Sequence, residues 1–180
     1  MHRLALTIAA GLVGAGIVHI VVLLLVPQFS DRDAWSRLAM AADLNRVVRI
    51  DAQAGQAPIV EPLDPLFQAA ACRFDLSEGM LHVRAPGRVP FWSVSVYERG
   101  GANLYSFNDR TSEGGILDFV VLTPAQMIEM RKQLPEEFES SIFVEASVDE
   151  GIVVIRSFVP DSSWRSNVAK FLGDLSCEPR

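Results

Sequence analysis

The chain has 180 residues, of which 49% are hydrophobic and 21% are charged, with a formal net charge of -6 and a mean hydropathy of +0.23. These values exclude a disordered chain, a collagen-like fibre, a multi-span transporter and a disulfide-dense miniprotein. The mean hydropathy is too high for an ordinary soluble domain, but without residues 4–26 the remainder averages about -0.1. The sequence therefore combines one membrane segment with one globular domain.

The membrane segment comprises residues 4–26, which contain no Asp, Glu, Lys or Arg. A helix of this length spans about 34 Å, enough to cross the hydrocarbon core of a bilayer. A cleaved secretory signal is the alternative, but its apolar run is only about 7 to 15 residues and ends at an A-x-A-like site, which is missing here. We expect an uncleaved anchor that contacts the lipid bilayer. Arg3 precedes it and Arg32 and Arg37 follow it, so the flanking charges leave its orientation open.

Two features of this segment could carry a function. His19 is the single ionisable residue within it, and such a residue is by default a functional candidate. No second ionisable residue accompanies it, so a hydrogen bond to a neighbouring helix or a position near a headgroup is the simpler interpretation. Gly11 and Ala15 form a small-xxx-small pair that would allow close packing in a homodimer.

Two cysteines, Cys72 and Cys177, bear on the compartment. They cannot complete a four-cysteine zinc site, and neither belongs to a C-x-x-C pair. On the oxidising side of a membrane, a disulfide between them would close a loop of about 105 residues and restrict the unfolded chain by about 4.7 kcal/mol. In a reducing cytoplasm they would be small buried apolar residues. We favour the disulfide, and with it an outward-facing domain.

The chain divides into a membrane anchor (1–29), a juxtamembrane helix with a linker (30–65) and a β-rich globular domain (66–180). Ser30 is expected to cap the juxtamembrane helix. Residues 46–51 alternate weakly like a strand, and three prolines with a glycine make 52–65 an extended connection.

Alternating apolar residues predict most of the globular domain as strands. A first hairpin is expected around the turn at 77–79, a second joins strands 91–98 and 104–108, and a third lies around 149–151. The more continuously apolar run 116–122 is typical of a buried strand.

Two helices accompany these strands. Thr123 as the N-cap, Pro124 and a Gln in the capping-box position predict a helix from Pro124 to about Leu134. A last helix begins at Asp161 and ends before Gly173.

Several segments resemble two bacterial envelope families, the domains of unknown function 1254 and 1214. They are CRFDLSEGMLHVRAP, FWSVSVYERGGANLYSFNDR, VLTPAQ and GIVVIRSFVPD. The resemblance covers about half the chain and is nearest to the short, membrane-anchored alphaproteobacterial branch. It implies an α+β protein, mainly β with flanking helices, in which an antiparallel jelly-roll-like β-sandwich follows the transmembrane helix. It also implies an envelope location and no established reaction. The asparagine-aspartate-threonine strand of longer members is missing, so nothing about that region carries over.

The candidate ligand-binding residues are polar side chains near strand ends or within apolar strands: Asn108, Asp109, Arg110, Asp118 and Arg156. Loops at strand ends often bind ligands, but Asn and Asp also cap turns, and Arg110 could simply pair with an acid. Arg156 lies within an apolar strand, so it either extends to solvent at an edge or pairs with an acid. Asp118 is equally out of place in its own strand, and we favour an ion pair between the two. His82 lies on the polar side of its strand and is expected to be exposed.

Other chemistries are opposed by the sequence. It contains no G-x-S-x-G, no P-loop and no cluster of histidines, so we expect no catalytic residue, metal or cofactor. Apart from Arg3, all charged residues follow the membrane segment and sum to -7, which opposes nucleic-acid binding.

Two functions remain. The first is a membrane-anchored, non-enzymatic module of the bacterial inner membrane that binds or assembles with an envelope partner from the periplasm. The second is an envelope enzyme whose polar residues converge at the mouth of the sandwich.

Overall fold

A computed structural model describes residues 2–51, 59 and 64–180, with only the backbone described for 26–33. Helix α1 runs from His2–Ala41, and its part His2–Leu25 is apolar, exposed and long enough to cross a membrane. The predicted helix start at Ser30 is wrong, because α1 continues through Pro27 and Ser30. A proline removes one backbone hydrogen bond, but a helix whose following turns are packed against a sheet can continue past it. Most of the predicted extended connection, 52–65, lies outside the described residues.

Nine strands form two sheets. In chain order they are β1 (Val47–Arg49), β2 (Phe67–Asp75), β3 (Leu81–Ala85), β4 (Trp92–Glu98), β5 (Asn103–Asn108), β6 (Leu117–Leu122), β7 (Ile142–Glu145), β8 (Glu150–Phe158) and β9 (Ser176–Pro179). The first sheet has the order β1-β2-β8-β4-β5 and is antiparallel, and the second has the order β7-β6-β3-β9. Two further helices, α2 (Pro124–Lys132) and α3 (Arg165–Gly173), complete the domain.

The main core lies between the two sheets. Because side chains alternate across a strand, Phe74 and Trp92 from the first sheet share one core cluster with Phe119 from the second, and all three are fully buried. Helix α3 contributes Val168 and Leu172 to the same core. The two-layer arrangement confirms the predicted α+β sandwich.

Local signals predicted some elements well. The β4 to β5 hairpin is present, and the capping box of α2 is formed, with the Thr123 hydroxyl accepting from the Gln126 backbone and the Gln126 side chain accepting from the Thr123 backbone. The last helix begins later than expected, because Asp161 caps a short 3-10 turn, Ser162–Trp164, ahead of α3.

Two other predicted hairpins are wrong. β2 and β3 belong to different sheets, as do β7 and β8, so both connections cross the sandwich. β7 instead lies parallel to β6, with α2 in the crossover between them. Alternation shows which face of a strand is buried but does not identify the neighbouring strand, and a short connection can join strands within one sheet or between two.

The predicted disulfide is confirmed. Cys72 of β2 and Cys177 of β9 are bonded across the two sheets, with their Cα atoms 6.6 Å apart, and both residues are almost completely buried. The bond therefore holds the C-terminal strand and the second sheet against the first.

Helices cover the outer faces of the two sheets unequally. Leu38 near the end of α1 packs on β2 and β8. The guanidinium groups of Arg73 and Arg99 lie 4.9 and 5.2 Å from the centre of the Trp35 ring. Helix α2 covers part of the second sheet. Within the described residues, the outer face of β4 and β5 has no such cover, and this position defines the candidate site.

Candidate functional site

A row of polar side chains crosses the part of the first sheet that no described helix covers. Ser93 of β4 is paired in register with Asn108 of β5 on one side and with Arg156 of β8 on the other. Directly paired residues share a face, and neighbouring strands are about 4.8 Å apart, so the Asn108 and Arg156 backbones are about 10 Å apart on that face. The structure thus brings together two of the predicted site residues. We call this row, with the adjoining Ser95, Ser106 and Asn103, the polar face.

Hydrogen bonds organise the rest of the polar face. The Ser106 hydroxyl donates to the Ser95 hydroxyl at 3.0 Å, and the Asn103 side-chain amide donates to Ser106 at 3.0 Å. Ser106 and Asn103 are exposed. Each of these side chains carries both donor and acceptor groups, so the face offers a preorganised set of hydrogen-bonding groups to solvent or to a ligand.

Arg156 is the charged group of the polar face. Its side chain is exposed, and it makes no ion pair or hydrogen bond with any residue in the described part of the chain. Its cross-strand neighbours are Ala69 and Ser93, which are too small to cover it. A free guanidinium presents a planar set of donors that matches carboxylate or phosphate groups.

The loop after β5 holds the other two predicted residues in a short turn, Asp109–Thr111. The Asn108 side chain accepts from the Arg110 backbone at 3.1 Å, and the Thr111 hydroxyl donates to the Asn108 carbonyl at 2.5 Å. Arg110 is exposed, whereas one Asp109 carboxylate oxygen is buried without a hydrogen-bond partner among the described residues. The turn-capping interpretation of Asn108 is therefore correct, and this turn fixes one end of the polar face.

Asp118 lies far from this face. It is on the outer side of the second sheet, where its Oδ1 is 3.0 Å from His82 Nε2 and accepts from the Ser141 hydroxyl at 2.6 Å. The predicted ion pair between Asp118 and Arg156 is wrong, because the two residues face outward from different sheets. The enzyme hypothesis requires Asp109, Arg110, Asp118 and Arg156 to meet at one mouth of the sandwich, and the position of Asp118 on the other sheet contradicts it.

The expected exposure of His82 is also wrong, since this residue is only 4% exposed. Its ring meets the edge of Phe138 with the centroids 5.1 Å apart. Alternation correctly placed His82 on the side of β3 that faces away from the core, but the segment after α2 covers that side. Sequence reasoning missed the contact with Ser141, which lies 23 residues from Asp118 and carries no motif.

The His82, Asp118 and Ser141 cluster does not form a nucleophile activated by histidine. In such a site the hydroxyl donates to the imidazole, which takes its proton, and the carboxylate orients the imidazole from the other side. Here the hydroxyl and the imidazole both approach the same carboxylate oxygen. The arrangement fits a buried polar network that holds β3, β6 and the start of β7 together.

No metal site is formed within residues 2–51, 59 and 64–180, where no three His, Cys, Asp or Glu side chains are grouped to hold an ion. A cleft of about 630 Å³ lies between the edge strands β1 and β9 and is lined by Arg46, Arg49 and Glu178 among others. Arg49 is already engaged there by Asp51, with donor-acceptor distances of 2.8 and 2.6 Å. The Arg49 guanidinium is therefore already neutralised by a carboxylate within the described part of the chain.

The fold and the polar face define a disulfide-linked, two-sheet β-sandwich that follows an apolar helix. The model of the family described as "Protein of unknown function (DUF1254)" matches residues 67–179, and the chain belongs to this family. Membership of the 1214 family or of an alphaproteobacterial branch stays a prediction. Comparison with curated proteins gives no match.

Comparison with solved structures shows a shared fold for the first of the two matches below. The VPA0106 protein from Vibrio parahaemolyticus has a TM-score of 0.60 at 10% identity, over 84% of this chain and 35% of the other. An uncharacterized protein from Burkholderia cenocepacia has a TM-score of 0.48 at 12% identity, over 74% of this chain and 37% of the other. The chain thus spans about a third of the length of these solved proteins.

Proposed function

We propose that the protein is a single-pass, membrane-anchored binding module of the bacterial inner membrane, with its domain in the periplasm and its polar face engaging an envelope partner. The observation that carries the proposal is the register of Asn108, Ser93 and Arg156 on a sheet face that no described helix covers. The partner would carry a carboxylate or phosphate group to meet Arg156 and further polar groups to meet the serines.

The compartment is supported by two independent features. Apolar side chains of the first helix are broadly exposed, for example Leu12 at 70% and Leu24 at 67%, and such a surface is stable only when it is covered by lipid or protein. The disulfide Cys72–Cys177 requires oxidising conditions to form and persist, and cytosolic thiols are kept reduced.

A binding role is favoured over catalysis by the chemistry of the polar face. Serine and asparagine side chains are poor acids and bases unless a neighbouring base activates them, and the hydroxyls of Ser95 and Ser106 bond to one another. The guanidinium of Arg156 offers hydrogen-bond donors to an anion and carries no acceptor.

Site-specific photo-crosslinking in cells tests this proposal. A photoreactive amino acid placed at Ser106, on the rim of the polar face, should give a discrete crosslinked product. The product should be strongly reduced by Arg156→Ala, because that change removes the free guanidinium while leaving an exposed position. The same photoreactive residue at Lys132, which lies on α2 at the opposite sheet, is the matched control and should give no such product.

Two results would contradict the proposal. One is the absence of a crosslinked product from Ser106 in cells that express the protein normally. The other is a product whose yield is the same with and without the Arg156→Ala change, since binding would then not depend on the polar face. A broad hydrolase screen of the full-length protein, with Asp109→Ala and Arg110→Ala as comparisons, separately tests the enzyme alternative.

A further inference from the structure

We propose a second binding site, for a single-chain amphiphile with a carboxylate headgroup, in an apolar groove beside α2. The groove has a volume of about 430 Å³ and is lined by Met127, Met130, Arg131, Leu134 and Phe143. It lies on the outer side of the second sheet, so it is separate from the polar face and does not depend on the function proposed for that face.

The groove exists because α2 is short. Its nine residues form only part of the crossover between the parallel strands β6 and β7, and they cover only part of the sheet. Phe143 of the edge strand β7 is consequently only partly buried, and Leu134 just after the helix remains 46% exposed. Apolar surface of this kind costs free energy in water, which a bound hydrocarbon chain would recover.

Two methionines form the wall of the groove on the helix side. Met127 is buried and Met130 is partly buried within the small apolar cluster that α2 makes with the sheet. Methionine is flexible and polarizable, so a wall of this composition can adapt to a hydrocarbon chain without a fixed shape. The volume is near the lower end of the roughly 300 to 1,000 Å³ found for ligand pockets, which favours one chain over two.

The headgroup is argued from charge. Arg131 is the single charged residue that lines the groove, it is exposed, and it has no ion-pair or hydrogen-bond partner within the described residues. The neighbouring Lys132 is instead paired with Glu129 at 2.7 Å. A guanidinium at the rim of an apolar groove complements a carboxylate attached to a hydrocarbon chain.

Photo-labelling of the full-length protein in phospholipid nanodiscs tests this site. The probe is palmitic acid with a photoreactive diazirine in its chain, and labelled positions are located by mass spectrometry. We expect labelling at the groove in addition to labelling of the apolar helix. Excess unlabelled palmitic acid should abolish labelling at the groove but not along that helix, where the probe simply dissolves in lipid. The helix therefore serves as the internal reference.

Matched variants separate the headgroup from the chain. Arg131→Gln should lower labelling at the groove about tenfold, as expected for loss of a charge-assisted hydrogen bond, and Lys132→Gln should leave it unchanged. Leu134→Gln should lower labelling, whereas Ile128→Gln should not, because Ile128 is 60% exposed on the same helix but does not line the groove. All four positions are exposed, so the variants should fold normally.

The proposal is overturned by any of three results. The first is that the probe does not label the groove. The second is that the probe and its methyl ester label the groove equally. The third is that the Arg131→Gln and wild-type proteins are labelled equally. Protection of the groove by an apolar peptide or a second copy of the chain, with no effect of palmitic acid, would assign it to a different occupant and equally reject the amphiphile. None of these results bears on the crosslinking expected from Ser106.

Discussion

Removing the disulfide should destabilise the domain by an amount that the structure allows us to calculate. Cys72 and Cys177 are separated by 105 residues, and in the chain-entropy model a crosslink over such a loop stabilises the folded state by about 4.7 kcal/mol. The two residues are 1% and 4% exposed, so replacing both with alanine also loses buried sulfur, at roughly 1 kcal/mol per site. The expected total is about 7 kcal/mol, a large part of the roughly 5 to 15 kcal/mol that stabilises a typical domain.

Urea unfolding of the full-length protein in mild detergent, followed by tryptophan fluorescence, measures this change. Three samples are needed: the oxidised wild type, the same protein after reduction, and the Cys72→Ala, Cys177→Ala double variant. Reduction retains both sulfurs, so the reduced wild type should show the loop contribution alone and lie between the other two. The slope of the free energy against urea should rise once the bond is broken, because the unfolded chain then exposes more surface. A difference below about 1 kcal/mol between oxidised and reduced protein would refute the structural role assigned to the bond.

Further predictions concern the sandwich itself. Gly151→Ala should lower the free energy of unfolding by about 1 to 3 kcal/mol, because the added Cβ would lie 2.5 Å from a backbone oxygen of β4. Gly173→Ala is the control: a Cβ there has open space, so it should change the free energy of unfolding by less than about 1 kcal/mol. Thermal melts measure both changes. Thr123→Ala should lower the free energy of unfolding by about 1 kcal/mol, because it removes the N-cap of α2. Thr123→Ser keeps the hydroxyl and should lower the free energy of unfolding much less. Equal losses for the two variants would contradict the capping role. Hydrogen bonds from the Ser77 side chain and backbone lower the pKa of Asp75. These hydrogen bonds therefore stabilise the folded state at any pH above the ordinary carboxyl pKa. Their contribution is lost as the pH falls through the lowered pKa of Asp75. Acid titration from about pH 5 to pH 2 should therefore destabilise the wild type more than Asp75→Asn, and identical titrations would exclude this linkage.

How much of the fold could be predicted depended on how local the signal was. The cap at Thr123 and the β4 to β5 hairpin are set by neighbouring residues, and both were predicted correctly. The connection from β2 to β3 was predicted as a hairpin and instead crosses between the sheets, because the choice of neighbouring strand depends on the whole core. The disulfide was predictable because only one pairing of two cysteines exists.

The candidate site shows the same limit. Asn108 and Arg156 were selected because polar residues were out of place near strand ends or within an apolar strand, and Ser93 connects them only after the strand order is known. Asp118 was selected for the same reason but belongs to a buried network with His82. The sequence pattern cannot distinguish these outcomes, since an outward-facing polar residue is exposed or buried according to what packs over the sheet.

The redox state of the two cysteines in living cells shows whether the domain lies in an oxidising compartment. Cells are quenched in acid, free thiols are blocked under denaturing conditions, and the protein is then reduced and treated with a maleimide polymer that shifts its mobility once per newly freed thiol. For a membrane-anchored domain in an oxidising compartment, we expect nearly all of the protein to be shifted twice, and only after reduction, because Cys72 and Cys177 are bonded. If both thiols are blocked in the first step and the protein never shifts, the cysteines lie in a reducing compartment. That result would contradict a disulfide-linked domain in the periplasm.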